Sequence, residues 1–144
     1  MQRALELAGL AAKSGEVPIG AVVVRNGTVI GEGYNQVESL NDSTAHAEII
    51  AIREASMLLK NWRLEGCSLY VTLEPCVMCI GALRLARISE IVCGAGESRF
   101  GSISRFRGPL EDATLGPTPK VLTGVLADRC SEVLKSFFRE VRKK

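Results

Sequence analysis

Apolar positions fall into alternating helical and strand-like periods along the chain. From Arg3 to Lys13, Leu5, Leu7, Ala8, Leu10 and Ala12 oppose Glu6 and Lys13, which predicts a short amphipathic helix ended by Ser14-Gly15. Ile19 to Arg25 is almost continuously apolar, and Asn26-Gly27 predicts a tight hairpin returning through Thr28 to Asn35. Glu38 to Ser43 reads as a polar loop. Thr44 is placed to cap a helix running through Ile49, Ile50, Ile52, Ala55 and Leu58 to Lys60. Cys67 to Leu73 predicts a buried strand, Cys76 to Arg87 a helix, and Ser89 to Gly94 a fourth strand. Residues 95–119, with Gly101, Gly108, Pro109, Gly116, Pro117 and Pro119, predict a long loop. Lys120 to Gly124 reads as a fifth strand. Asp128 to Arg142 reads as a closing helix with Cys130, Leu134, Phe137, Phe138 and Val141 on its apolar side.

A hairpin followed by alternating strands and helices predicts an α/β protein, with a five-stranded mixed sheet between two helical layers. The length of 144 residues suits a single domain spanning 1–144. The formal charge of +2 hides an asymmetry: residues 95–144 hold ten Lys/Arg against six Asp/Glu, and residues 1–94 hold eight against ten. The basic end suits a polyanion or a solvated helix face. No apolar run is long enough to span a bilayer and no leader is evident, so a cytoplasmic protein is expected. Five cysteines, an odd number, argue against a disulfide framework. Cys67, Cys93 and Cys130 sit among apolar neighbours and read as small buried residues.

The chemistry concentrates in Thr44-Ala45-His46-Ala47-Glu48 and Pro75-Cys76-Val77-Met78-Cys79. His46 is the only histidine, so a site with one imidazole and two thiolates must use it. Cys76 and Cys79 are three apart, on one face of a helix start, where the positive helix end favours thiolates. A catalytic zinc takes three protein ligands and keeps a fourth position for water, whose pKa it brings toward neutrality. Glu48, two residues from His46, points elsewhere than the ion and is suited to carrying protons. Taken singly, a Cys-x-x-Cys fits redox chemistry or a structural zinc site equally well. The ordered combination of His-x-Glu and a downstream Pro-Cys-x-x-Cys resembles the zinc-deaminase signature.

The resemblance extends further. Val17-Pro18-Ile19-Gly20-Ala21-Val22, Gly31-Glu32-Gly33-Tyr34-Asn35, the run Tyr70 to Cys79, and Gly124-Val125-Leu126-Ala127 followed by Phe137-Phe138-Arg139 are similar to the bacterial tRNA-specific adenosine deaminases, of cytidine-deaminase-like fold. Three places depart from that pattern: Ser43 stands where Pro is usual, Glu97-Ser98-Arg99-Phe100-Gly101-Ser102 lacks a run of small residues, and Thr118-Pro119-Lys120 replaces an Asn-His before the last strand. The resemblance implies hydrolysis of the wobble adenosine (position 34) of a tRNA anticodon to inosine, in a homodimer with one zinc per subunit and no organic cofactor. It implies His46, Cys76 and Cys79 as zinc ligands and Glu48 as the proton carrier. It also implies a substrate pocket involving Pro18, Asn35, Ala47, Leu73 and Glu74. The anticodon stem-loop would meet Arg99, Arg105, Arg107, Phe137, Phe138 and Arg139, with Arg142, Lys143 and Lys144 as further cations. Two other functions fit the motifs: deamination of a free guanine- or cytosine-type base or nucleoside, and a non-catalytic zinc-folded RNA-binding subunit.

Overall fold

The structure is a computed structural model that describes residues 1–97, 99–105 and 107–143. Its centre is a five-stranded sheet of β1 (Gly20–Arg25), β2 (Thr28–Tyr34), β3 (Ser68–Leu73), β4 (Glu90–Ala95) and β5 (Lys120–Leu122). The spatial order is β2-β1-β3-β4-β5. β1 runs antiparallel to β2 and β3, while β3, β4 and β5 are mutually parallel, so the sheet is mixed as expected. The hairpin turns at Asn26 and Gly27, both at positive φ (50° and 75°) as a two-residue turn matched to strand twist requires.

Helices cover both faces. α1 (Gln2–Lys13) and α6 (Ala127–Val141) pack on one, α3 (Ala47–Leu59) and α4 (Val77–Leu85) on the other. The α3 face carries the main core, including Ala21, Val23, Leu69, Val71, Ile80, Leu83 and Ile91. A smaller cluster of Leu5, Ala95 and Cys130 sits where α1 meets α6. α3 lies so close to β2 that a Cβ at Gly33 would come within 2.2 Å of the Ala47 carbonyl oxygen. Small residues on both sides (Gly31 and Gly33 against Ala47, Ala51 and Ala55) therefore fix where the start of α3 sits. Cys67, Cys93 and Cys130 are buried and unpaired, as their surroundings predict.

The structure corrects four local expectations. α3 begins at Ala47 with His46 at its N-cap, two residues later than a Thr44 cap would place it. The Thr44 amide and hydroxyl instead donate to Asp42 Oδ1 at 2.8 and 2.7 Å, a side-chain turn that competes with helix. The polar stretch before it contains a one-turn helix, α2 (Val37–Leu40). The long segment after β4 contains α5 (Gly108–Glu111) and a 3-10 turn (Ala113–Leu115). Finally, Cys76 is the N-cap of α4 rather than its first residue, which leaves Pro75 just outside.

Candidate active site

The starts of α3 and α4 meet beside the start of β1 and the end of β3. His46 and Cys76 are both N-cap residues with extended backbone, and Cys79 lies in the first turn of α4. Nδ1 of His46 is 3.7 Å from Cys76 Sγ and 3.5 Å from Cys79 Sγ. All three ligand atoms lie within 4.8 Å of one another, the one such grouping among the described residues. A tetrahedral zinc with bonds of about 2.0 Å to nitrogen and about 2.3 Å to sulfur sets those ligand atoms about 3.6 Å apart. The two N···S edges match that spacing, and an imidazole with two sulfurs is a donor set that suits zinc.

The electrostatics of the cluster follow from its closeness. A hydrogen bond from Cys79, with a second from His46, holds the Cys76 thiol down at about 4 despite its burial. Cys79, facing that sulfur from a buried position near Glu48, is pushed up. The hydrogen bond with Cys76 raises His46 above its ordinary value, against partial burial. Glu48 is 4 % exposed, and burial pushes its carboxyl up to about 7. Such a group both takes up and releases protons near neutral pH.

A cavity of about 390 Å³ opens beside the cluster. His46, Glu48 and Cys76 form one part of its wall, with Val17 and Ile19 entering from before β1. Leu73, Glu74, Gly96, Glu97, Arg99 and Phe100 form another part, and Leu134 and Phe138 reach over from α6. Leu73 and Glu74 thus stand in the wall. The Glu74 carboxylate, however, is turned onto the loop, accepting from the Glu97, Ile103 and Ser104 amides. Pro18 and Ala47 are buried between lining residues in the chain, and the buried Asn35 donates its backbone amide to the carbonyl of the lining residue Ile19 at 3.0 Å. Asn35 Nδ2 donates to Glu16 Oε2 at 3.4 Å.

Of the basic and aromatic residues expected to meet RNA, Arg99 and Phe138 border this cavity. Arg99 is largely exposed and its guanidinium lies 5.5 Å from the Phe100 ring centre. Arg139 lies beside Leu134, Lys135, Phe138 and Arg142 on α6, hydrogen-bonded to Glu132 at 2.5 Å. Phe137 packs edge-on against Phe138, with ring centres 5.4 Å apart. Arg105 is exposed on the loop. Arg107 is turned to Glu111 and the Ile103 carbonyl. Lys143 lies just past the end of α6, and Lys144 is outside the described residues.

Three contributors escaped the sequence reading. Glu16, 1 % exposed, accepts from the Glu38 and Ser39 amides and the Ser39 hydroxyl, fastening α2 beside Asn35. Leu134 looks like ordinary helix core yet borders the cavity. Arg84, 2 % exposed on α4, gathers the carbonyls of Pro109, Leu110, Asp112 and Gly116. A buried arginine on the apolar face of a helix is the one of these signals that the sequence carries.

The sheet order, the paired helix starts and the His/Cys/Cys cluster define a class, the zinc deaminases. Residues 1–95 match the sequence model of the "Cytidine and deoxycytidylate deaminase zinc-binding region". Within that class, the tRNA-specific adenosine deaminase of Bacillus subtilis is 44 % identical over 144 residues, covering 100 % of this chain and 89 % of the relative. The enzyme of the same name from Haemophilus influenzae is 46 % identical, covering 99 % of this chain and 83 % of its own length. A structure from a study of A-to-I editing by tRNA:A34 deaminases at the wobble position of transfer RNA superposes with a TM-score of 0.86 at 42 % identity, covering 93 % of this chain and 97 % of that one. A guanine deaminase from Nitrosomonas europaea superposes with a TM-score of 0.82 at 28 % identity, covering 94 % and 81 % of the two chains. The chain belongs to the tRNA-specific adenosine deaminase family, and is a hydrolytic deaminase of cytidine-deaminase-like fold.

Proposed function

We propose that this enzyme hydrolyses the wobble adenosine (position 34) of a tRNA anticodon to inosine, releasing ammonia. The observation that carries the reading is a buried carboxylate, Glu48, beside the His46–Cys76–Cys79 cluster in one open-mouthed cavity. His46 Nδ1 and the sulfurs of Cys76 and Cys79 would hold one zinc ion per chain. When bound, that ion supplies Lewis acidity, bringing the pKa of water toward neutrality. Glu48 takes the proton of the water that adds to C6 of the purine. It delivers that proton to N1, then takes a second from the hydroxyl now on C6 and passes it to the exocyclic amine, which leaves as ammonia as the C6 carbonyl forms. The products are inosine and ammonia, with one water consumed.

The surroundings of the cavity favour a polynucleotide over a free base. Chemistry on a base needs that base out of its stack, and an anticodon loop presents it nearly unstacked. Arg99, Phe100 and Phe138 stand at the cavity, with Arg139 and Arg142 continuing along α6, a mixture suited to phosphates and bases. Leu73 in the wall, with Pro18, Asn35 and Ala47 beside it, would shape the place of the flipped nucleotide. The domain comprises 1–144 as a unit. A homodimer is supported by exposed Leu40, Met57 and Leu58 around a second hollow of about 500 Å³ on α2 and α3. No helix of the described residues is long and apolar enough to cross a membrane. A tRNA substrate goes with a cytoplasmic location.

The test is incubation with an unmodified arginine-type tRNA transcript, followed by reading the wobble base. Inosine at that base supports the reading. Unchanged adenosine together with ammonia release from free guanine overturns it in favour of base deamination.

A further inference from the structure

The loop between β4 and α5 is held in an unusual way. Its first and last parts both bond to a single side chain. The Glu97 amide donates to Glu74 Oε2 at 3.0 Å. The Ile103 and Ser104 amides donate to Oε1 at 2.8 and 2.5 Å, and the Ser104 hydroxyl lies 2.9 Å from both oxygens. This carboxylate is 5 % exposed. Its acceptor sites are therefore taken by the loop, leaving little with which to bind a substrate.

The backbone on either side of the contact is joined as well. The Ser102 amide donates to the Pro75 carbonyl at 3.0 Å, and Cys76 and Gly101 form an isolated β-bridge. Gly101 is required at that point. A Cβ there would fall 2.5 Å from the Glu74 carboxyl carbon and 2.4 Å from the Glu97 carbonyl oxygen. Arg99 and Phe100, which lie between these contacts in the sequence, border the cavity.

We propose that Glu74 is a positioning residue, which together with Gly101 straps the 97–104 loop into the substrate-facing wall of the active site rather than contacting substrate itself. This rests on the tRNA-deaminase reading for its kinetic consequence. Its structural content, that one carboxylate ties the two parts of the loop together, stands apart from any substrate. Losing the strap frees the wall and leaves the ligand cluster and Glu48 on their helices. The cost therefore falls on substrate capture.

The test uses two substitutions in the full-length, zinc-loaded enzyme. Glu74→Gln places an NH2 donor against amide donors, and Gly101→Ala disturbs the same contact from the loop side. For each, we expect KM for the tRNA transcript to rise about tenfold, the loss of roughly one charge-assisted hydrogen bond, while kcat stays within about threefold. Zinc content stays at the parent value, and amide exchange at Ile103 and Ser104 speeds up. Unchanged exchange at those amides in both variants overturns the strap, whatever the substrate. Faster exchange with kcat falling and KM constant overturns the positioning role. A parent enzyme that leaves tRNA unmodified overturns the functional reading instead, and the exchange measurement then decides the strap alone.

Discussion

The two sides of the active-site cavity are held by different means. The His46–Glu48–Cys76–Cys79 side sits on the first turns of two helices, α3 and α4, that bury small and branched side chains against the central sheet. The opposite side, Gly96, Glu97 and residues 99–105, puts a single side chain, Ile103, into that core. It hangs on Glu74, and the segment after it hangs on Arg84. On the helical side, position follows from packing, which is strong and collective. On the loop side, position follows from a few buried charges surrounded by backbone dipoles. The chemistry is thus built on the rigid half and the recognition surface on the half that a single substitution can loosen.

The largest effects should separate chemistry from metal on the rigid half. Glu48→Gln is expected to lower kcat by about 10²–10⁴-fold, the usual worth of a positioned general acid–base. Zinc content should be unchanged, and the unfolding midpoint no lower than the parent's, because a neutral amide is easier to bury than a carboxylate. Turnover at the parent rate would remove Glu48 from the mechanism. Cys76→Ser should differ on both counts. It should lose zinc measured by metal analysis and lose stability with it, since binding free energy at such sites is partly folding free energy. A full zinc equivalent in that variant would sink the ligand assignment.

The same contrast explains what could be read from the chain. His46 and Glu48 are two residues apart and Cys76 and Cys79 three apart, so each pair is visible as a short local motif. The five strands and four longer helices follow from apolar periodicity. Nothing comparable marks the loop side. Glu74 reaches amides 23 to 30 residues away, and a backbone N–H looks the same whatever residue carries it. Glu16 reaches Ser39 in the same manner. α2 and α5 have four residues each, too few for a period. The start of α3 was hidden because Asp42 captures Thr44, and that competition depends on geometry.

A smaller effect is expected at Arg84. Its guanidinium satisfies four backbone carbonyls, and Arg84→Met would fill much of the volume while leaving those oxygens without their donor. We expect a loss of about 2–3 kcal/mol in denaturant unfolding, the cost of unsatisfied buried acceptors. Residues 108–116 should lose amide protection well before the sheet does. Equal loss of protection in β3 would mean that Arg84 supports the core and that the two halves are less separable than the contacts imply.

The mildest effect is the response to acid at Glu16, which fastens the α2 segment beside Asn35. Burial alone would raise this carboxyl. The Ser39 amide and hydroxyl and the Glu38 amide outweigh burial and hold it below its ordinary value of 4.5. A carboxyl depressed on folding contributes stability that is present above its unfolded value and lost as pH falls through the folded one. Amide protection at Glu38 and Ser39 should therefore be steady from neutrality down to the ordinary carboxylate range and fall only below it. Glu16→Gln should show reduced protection at neutral pH and little further change with acid. If the parent loses protection at these amides while Glu16 is still ionised, the segment is held by something other than this charge. The likeness between Glu16 and Glu74, two buried carboxylates each organising a loop beside the cavity, would then fail at its first member.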